Sequence, residues 1–133
     1  MTTRRTVIPA AQQATYDRFH FAPAVRVGTT VYASGVIGLD AEGHLPDTVA
    51  AEFANVFATL AHTLEEAGAS LADVVDMTSF HVDMPGTLRG FMEARDAAMS
   101  DPYPAWTAIG CTGLAIPGAH AEVKVIAVVG EDA

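Results

Sequence analysis

Glu122 stands in a run, His120-Ala-Glu122-Val-Lys124-Val-Ile-Ala-Val-Val129, that has the composition of a long apolar strand. Burying a carboxylate unpaired in such a place is costly, so this one needs either a partner or a task. Alternation along a strand sets His120, Glu122 and Lys124 on one face and Val123, Val125 and Ala127 on the other. A carboxylate among apolar neighbours can serve water as a general base or acid. Two quieter roles are open to it: Lys124 could hold it ionised, or it could join an intersubunit salt bridge with Lys124 and a neighbouring Arg. His120 could orient it or share its proton. The second residue of chemical weight is Trp106, within Pro102-Tyr-Pro-Ala-Trp106-Thr-Ala-Ile-Gly-Cys111, an entry turn followed by a strand. Its place at the start of the preceding strand suggests that it faces Glu122. An indole there either stacks on a flat ligand or fills a cleft or interface, since Trp is enriched in both settings.

Other reactive types are less promising. Ser34 precedes Gly35 between two strands, where it could bond a ligand or water, or serve the turn alone. No His–Asp pair adjoins it to make a nucleophile. Cys111 has no cationic neighbour and reads as a small hydrophobe. Arg26 and Arg95 could bring a carboxylate-binding charge, or lie on the surface with their stems over apolar area. His20, His81 and His120 lack the close spacing of metal ligands, and His44 and His62 read as exposed, so no metal is expected.

The bulk composition narrows the classes further. The 133 residues suit one domain, 1–133, with a core large enough to need no staples. Sixteen acidic residues face seven basic ones, and the net charge is −9. Affinity for nucleic acid rests on neutralising phosphates, and no basic stripe exists here to do it. The single Cys excludes an internal disulfide framework. No apolar run is long enough to cross a bilayer, and the N-terminus lacks a secretory pattern, so a cytoplasmic protein without membrane contact is expected.

The elements that must position these residues follow from periodicity. Residues 25–39 (VRVGTTVYASGVIGL) predict two short strands, and Asp40-Ala-Glu-Gly43 a turn. A helix should begin near Asp47 or Thr48, carry the stripe Val49, Phe53, Val56, Phe57, Leu60 and Leu64, and end at Gly68. Ser70-Leu-Ala-Asp73 matches a capping box. Val74–Val82 alternates, with Val74, Asp76, Thr78, Phe80 and Val82 on one side and Val75, Met77, Ser79 and His81 on the other. A second helix runs from about Thr87 to Met99, and two strands close the chain. The order β-β-β-α-β-α-β-β describes an α+β fold, a mixed sheet with two helices on one face. So many apolar strand residues call for cover on the other face, most simply by further copies of the chain.

Tyr32-Ala-Ser34-Gly35, Glu66-Ala-Gly68, Leu71-Ala-Asp73-Val74-Val75, Tyr103-Pro104-Ala105 and Glu122-Val-Lys-Val-Ile-Ala127 occur in an order that resembles the Rid family (YjgF/YER057c/UK114) over nearly the whole chain. The resemblance implies a chorismate-mutase-like fold and a homotrimer with three clefts between neighbouring subunits. It also implies cofactor-independent hydrolysis of imines and enamines to 2-oxo acids and ammonia. In the deaminases of the family an Arg after Pro-Ala holds the substrate carboxylate, and a Glu on the last strand handles water. A Ser, a Tyr and an Asn complete the cleft. The Glu corresponds to Glu122 and the Ser to Ser34. The Arg position holds Trp106, the Tyr position Phe21, and the Asn position Met92 or Phe91. The Cys two residues beyond the Arg is replaced by Ala108.

A guanidinium grips a carboxylate with two charged hydrogen bonds, whereas an indole offers one N–H and an apolar face. The chain is therefore expected not to be a standard 2-iminobutanoate or 2-iminopropanoate deaminase. The expected site is Glu122 as catalytic base, with Trp106, Ser34, Phe21, Met92 and His120 around a small planar molecule. The alternative is a non-catalytic trimer that binds a small molecule or regulates. The missing His/Lys constellation and the acidic charge speak against the ribonuclease activity attached to some family members.

Overall fold

A computed structural model describes residues 3–130. The longest helix, α2 (Val49–Glu66), begins where its cap directs: Thr48 is extended, and its hydroxyl accepts the Ala51 N–H at 3.1 Å. Phe53, Val56, Phe57, Leu60 and Leu64 form its buried stripe. At its other end Gly68 adopts φ 84°, and the Ala67 carbonyl receives Arg26 Nη1 at 2.8 Å and Arg5 Nη2 at 3.2 Å. Two cations thus sit on the negative end of the helix. Arg26, which also donates from Nε to the Gly28 carbonyl, serves as a helix cap. The Ser70–Asp73 capping box is present and opens a 3-10 turn, Leu71–Asp73, into the next strand.

The strands are β1 (Arg4–Val7), β2 (Ala24–Val27), β3 (Thr30–Ala33), β4 (Val36–Ile37), β5 (Val74–His81), β6 (Ala105–Gly110) and β7 (Ala121–Val128). They form one mixed sheet in the order β1-β2-β3-β7-β5-β6, with β4 also paired to β7. Only β5 and β6 run parallel, joined through helix α3 (Met84–Ala98). Four details differ from the sequence expectation. Four short strands, not three, precede α2, and a short helix α1 (Gln13–Phe19) follows β1; its residues are all exposed or half-buried, so it carries no apolar stripe. Helix α3 starts three residues earlier than Thr87, because Pro85 fits the first turn, where its missing N–H costs nothing. The alternation of β5 breaks at a register shift between Val74 and Asp76, which buries Val74 together with Met77 and leaves Val75 exposed.

Helices α2 and α3 cover one sheet face. There Phe53, Phe57 and Phe91 meet at ring separations of 5.4 and 5.6 Å over Met77, Val123, Val125 and Ala127. The pairings Thr78–Lys124, Phe80–Glu122 and Phe80–Ile109 put those residues on the opposite face. On that open face Ile109, Tyr32 and Val128 are left exposed. None of the described helices is long and apolar enough to cross a membrane.

Candidate functional site

Glu122 lies in the middle of the sheet's open face, opposite Ile37 of β4 and Phe80 of β5. Its half-buried side chain makes no hydrogen bond or ion pair among the described residues, and Lys124 next to it is exposed. The carboxylate has room only because residue 35 is glycine: a Cβ there would stand 2.8 Å from Glu122 Cδ and 3.0 Å from Oε2. Gly35 also borders a cavity of about 750 Å³, walled by Phe21, Ser34, Tyr16, Tyr32, Arg4 and Lys124 among others. Four positions singled out in the sequence, Phe21, Ser34, Gly35 and Glu122, therefore converge. Tyr16, on α1, adds a phenol to that wall beside Phe21; the family resemblance implies a tyrosine in the cleft, but without periodicity to reveal α1 that position was matched to Phe21 alone.

The Ser34 hydroxyl donates to the Ala22 carbonyl at 2.5 Å, and its N–H to the Pro23 carbonyl at 2.9 Å. Ser34 thereby ties the Phe21 loop to the end of β3, leaving only its lone pairs to face the cavity. Phe21 follows the left-handed cap of α1 at His20 (φ 59°) and stands 46 % exposed. His20 lines the same cavity.

Trp106 is elsewhere. It pairs with Met77, whose side chain faces the helices, and so lies on the face opposite Glu122. Within one chain the two therefore do not face each other, a point the sequence leaves open between one chain and two. The indole Nε1–H donates to Ser79 Oγ at 2.8 Å, and the ring packs near Phe91 (6.0 Å) and beneath the Arg95 guanidinium (5.0 Å). Ser79 Oγ lies 2.7 Å from His81 Nε2, while His81 Nδ1 is buried without a partner. If Ser79 donates to Nε2, one polar group, Nδ1–H, is unmet. If Nε2–H donates instead, both Nδ1 and the Ser79 hydroxyl hydrogen go unmet. The first arrangement is the cheaper.

Desolvation holds the His81 pKa below its ordinary 6.5. Protons then bind the unfolded chain more tightly, so this residue's contribution to stability is complete above pH 6.5 and is lost as pH falls toward the folded pKa. Thermal melts from pH 7 downward should show a decline that begins near the ordinary value, by at most about 1.4 kcal/mol per pH unit. His81→Asn, which cannot titrate, should flatten that part of the curve.

His120 is not in the Glu122 row. It precedes β7, and its imidazole Nδ1 lies 2.8 Å from Glu52 Oε1. The His120 and Ala121 N–H groups donate to Glu52 Oε2 at 2.7 and 3.4 Å. Glu52, buried on α2, was missed in the sequence because an acid in a first helical turn reads as an ordinary dipole partner. Of the two residues at the Asn position, Phe91 is core, and Met92 is 39 % exposed on α3. His20, His81 and His120 occupy three separate places, and no group of three or more metal-ligating side chains assembles among the described residues.

The family model described as endoribonuclease L-PSP matches residues 11–129. A curated relative, the RutC family protein YjgH of Escherichia coli K12, is 34 % identical over 128 residues, covering 96 % of each chain. A solved structure of protein YJGH superposes with a TM-score of 0.86 at 33 % identity, over 95 % of this chain and 96 % of that one. RidA from an Antarctic Psychrobacter species gives 0.82 at 31 % identity, over 94 % and 100 % of the two chains.

Proposed function

Since the chain belongs to the Rid (YjgF/YER057c/UK114) family and has its chorismate-mutase-like α+β fold, we propose that it assembles as a homotrimer and hydrolyses a small planar imine or enamine in a cleft between subunits, without a cofactor. The observation that carries this reading is the unpartnered Glu122 carboxylate, held over the bare backbone of Gly35 at the margin of a cavity that Phe21 and Ser34 line. A general base must be free to take a proton, and Glu122 has no competing donor among the described residues. The apolar residues exposed on the same sheet face support an assembly that covers them. Because Trp106 and Glu122 lie on opposite sheet faces, a cleft containing both would draw them from different copies.

The chemistry is short. Glu122 takes a proton from water as the oxygen bonds to the imine carbon, giving a carbinolamine. That proton passes to the nitrogen and completes the neutral carbinolamine; Glu122 then carries the hydroxyl proton to the amine as the carbonyl forms and the C–N bond breaks, and a carbonyl compound and ammonia leave. Ser34 lone pairs can accept from the attacking water, and His120, on this reading, only secures the approach to β7. Met92 and Trp106 would belong to the wall contributed by the other copy.

Ammonia release tests the substrate range. Freshly generated 2-iminopropanoate and 2-iminobutanoate should be turned over at least about 100-fold less efficiently than bulkier planar imines with no carboxylate beside the imine carbon, because residue 106 supplies no guanidinium. Equal or better turnover of the two short acids would refute the substrate range. A second reading, a trimer that binds a small molecule without turnover, is favoured by the apolar Phe21 and by the packing of Trp106 within its own chain. The net charge of −9 favours neither an RNA nor a DNA substrate.

A further inference from the structure

We infer that Arg95, seated on Trp106, is an anion-binding residue that takes the carboxylate of a planar acid. Arg95 lies in the last turn of α3, with its side chain only 15 % exposed. Its guanidinium carbon stands 5.0 Å from the Trp106 ring centroid and 5.4 Å from that of Tyr103. Nε donates to Asp96 Oδ1 at 2.9 Å, but the Asp96 side chain is 58 % exposed, so water and salt screen that pair. The two terminal nitrogens make no hydrogen bond among the described residues. A half-buried guanidinium with a free two-nitrogen edge has the geometry that grips a carboxylate in a bidentate manner.

The platform beneath is fixed. Trp106 cannot swing without breaking its bond to Ser79, which is in turn held against His81, and Phe91 packs against the indole. Tyr103, 55 % exposed, offers a flat apolar surface beside the cation. The remaining arginines with structural tasks cannot substitute: Arg5 and Arg26 cap α2, and Arg18 lies over Phe19. In a chain of net charge −9, a single oriented guanidinium on aromatic walls is a selective rather than a general attractor of anions.

This deepens the proposed function and rests on it for the reacting end of the ligand. The charge stands over the indole face, 5.0 Å from the ring centre, rather than at residue 106 itself. A carboxylate bound there suits an acid whose reactive carbon is separated from it by a planar spacer, and not one in which the two are adjacent. The preferred substrate class is therefore a conjugated or aromatic carboxylate bearing the imine at its far end.

Trp106 is the sole tryptophan, so its emission reports the site directly. The probes are cinnamate and its neutral isostere cinnamamide, titrated at low salt. Cinnamate should change the emission saturably and bind at least about tenfold more tightly than the amide. Arg95→Gln should abolish that preference by weakening cinnamate alone, and Arg95→Lys, which keeps the charge but not the fork, should restore part of it. Far-ultraviolet dichroism identifies any variant that fails to fold, and the wild-type comparison of acid with amide decides the matter without variants. Equal affinity for acid and amide, no saturable response to cinnamate, or an unchanged preference in a folded Arg95→Gln protein would overturn the inference. Binding is read without turnover. A protein that hydrolyses imines yet does not distinguish acid from amide refutes this subsite alone; one that distinguishes them but hydrolyses nothing refutes the hydrolytic reading alone.

Discussion

Glu122→Gln is expected to lower imine hydrolysis by about 10²- to 10⁴-fold in kcat, the range over which a positioned general base contributes. The amide is nearly isosteric and lies half-buried opposite Ile37 and Phe80, so the sheet should be unaffected. Ligand affinity should also persist, because the change removes proton-accepting capacity rather than shape. A companion substitution separates the presence of the carboxylate from its position. Gly35→Ala leaves Glu122 intact but brings a methyl group within 2.8 Å of its carboxyl carbon, which a flexible side chain can relieve only by moving. Displacing a reacting group by about 1 Å can cost on the order of 100-fold, so Gly35→Ala should lose activity with little change in melting temperature. Steady-state ammonia release from both variants, with chemical denaturation in parallel, makes the comparison. Full activity in Glu122→Gln would remove the general-base role and leave the binding reading in possession of the site.

The periodic parts of this protein were open to reading from its residues. The α2 stripe is a strong 3.6-residue signal bounded by a Thr cap and a Gly, and each of those features has its expected role. Glu122 was conspicuous because its neighbours are apolar. The face of Trp106 was not legible, since in Ala105-Trp106-Thr107-Ala108-Ile109-Gly110 apolar residues occur at both parities and alternation decides nothing. Its orientation is set by the parallel register with Met77, a pairing between strands separated by the whole of α3. The bulge at Val74–Asp76 leaves no mark in composition, and α1 buries no residue that could betray it. Long-range closure also hid the partner of His120: Glu52 is 68 positions away, and only the folding of the loop before β7 over α2 brings them together.

That buried carboxylate leads to the largest effect on stability. Glu52 receives two backbone N–H groups and the His120 imidazole, and its own main chain is pressed against the sheet: a Cβ on Gly38 would lie 1.8 Å from the Glu52 carbonyl oxygen. The side chain therefore has little freedom to be replaced by a repositioned neighbour. Glu52→Ala leaves the N–H donors of His120 and Ala121 facing an apolar gap, each costing about 1–3 kcal/mol if water does not reach it. A loss of about 3 kcal/mol overall is expected, or roughly a 10 °C fall in Tm for a chain of this length. Glu52→Gln is the informative comparison. Its oxygen can still accept from the backbone, and its amide nitrogen can donate to His120 Nδ1 once the imidazole carries its proton on Nε2, so the contacts persist without the carboxylate's charge. A smaller loss of about 1 kcal/mol should follow, and the difference between Glu52→Gln and the parent measures what the carboxylate's charge is worth at the entry to β7. The midpoint of urea unfolding should fall without a change in slope. If Glu52→Ala is as stable as the parent, the contact between α2 and the start of β7 does not hold the strand that carries Glu122, and some other interaction must set its register.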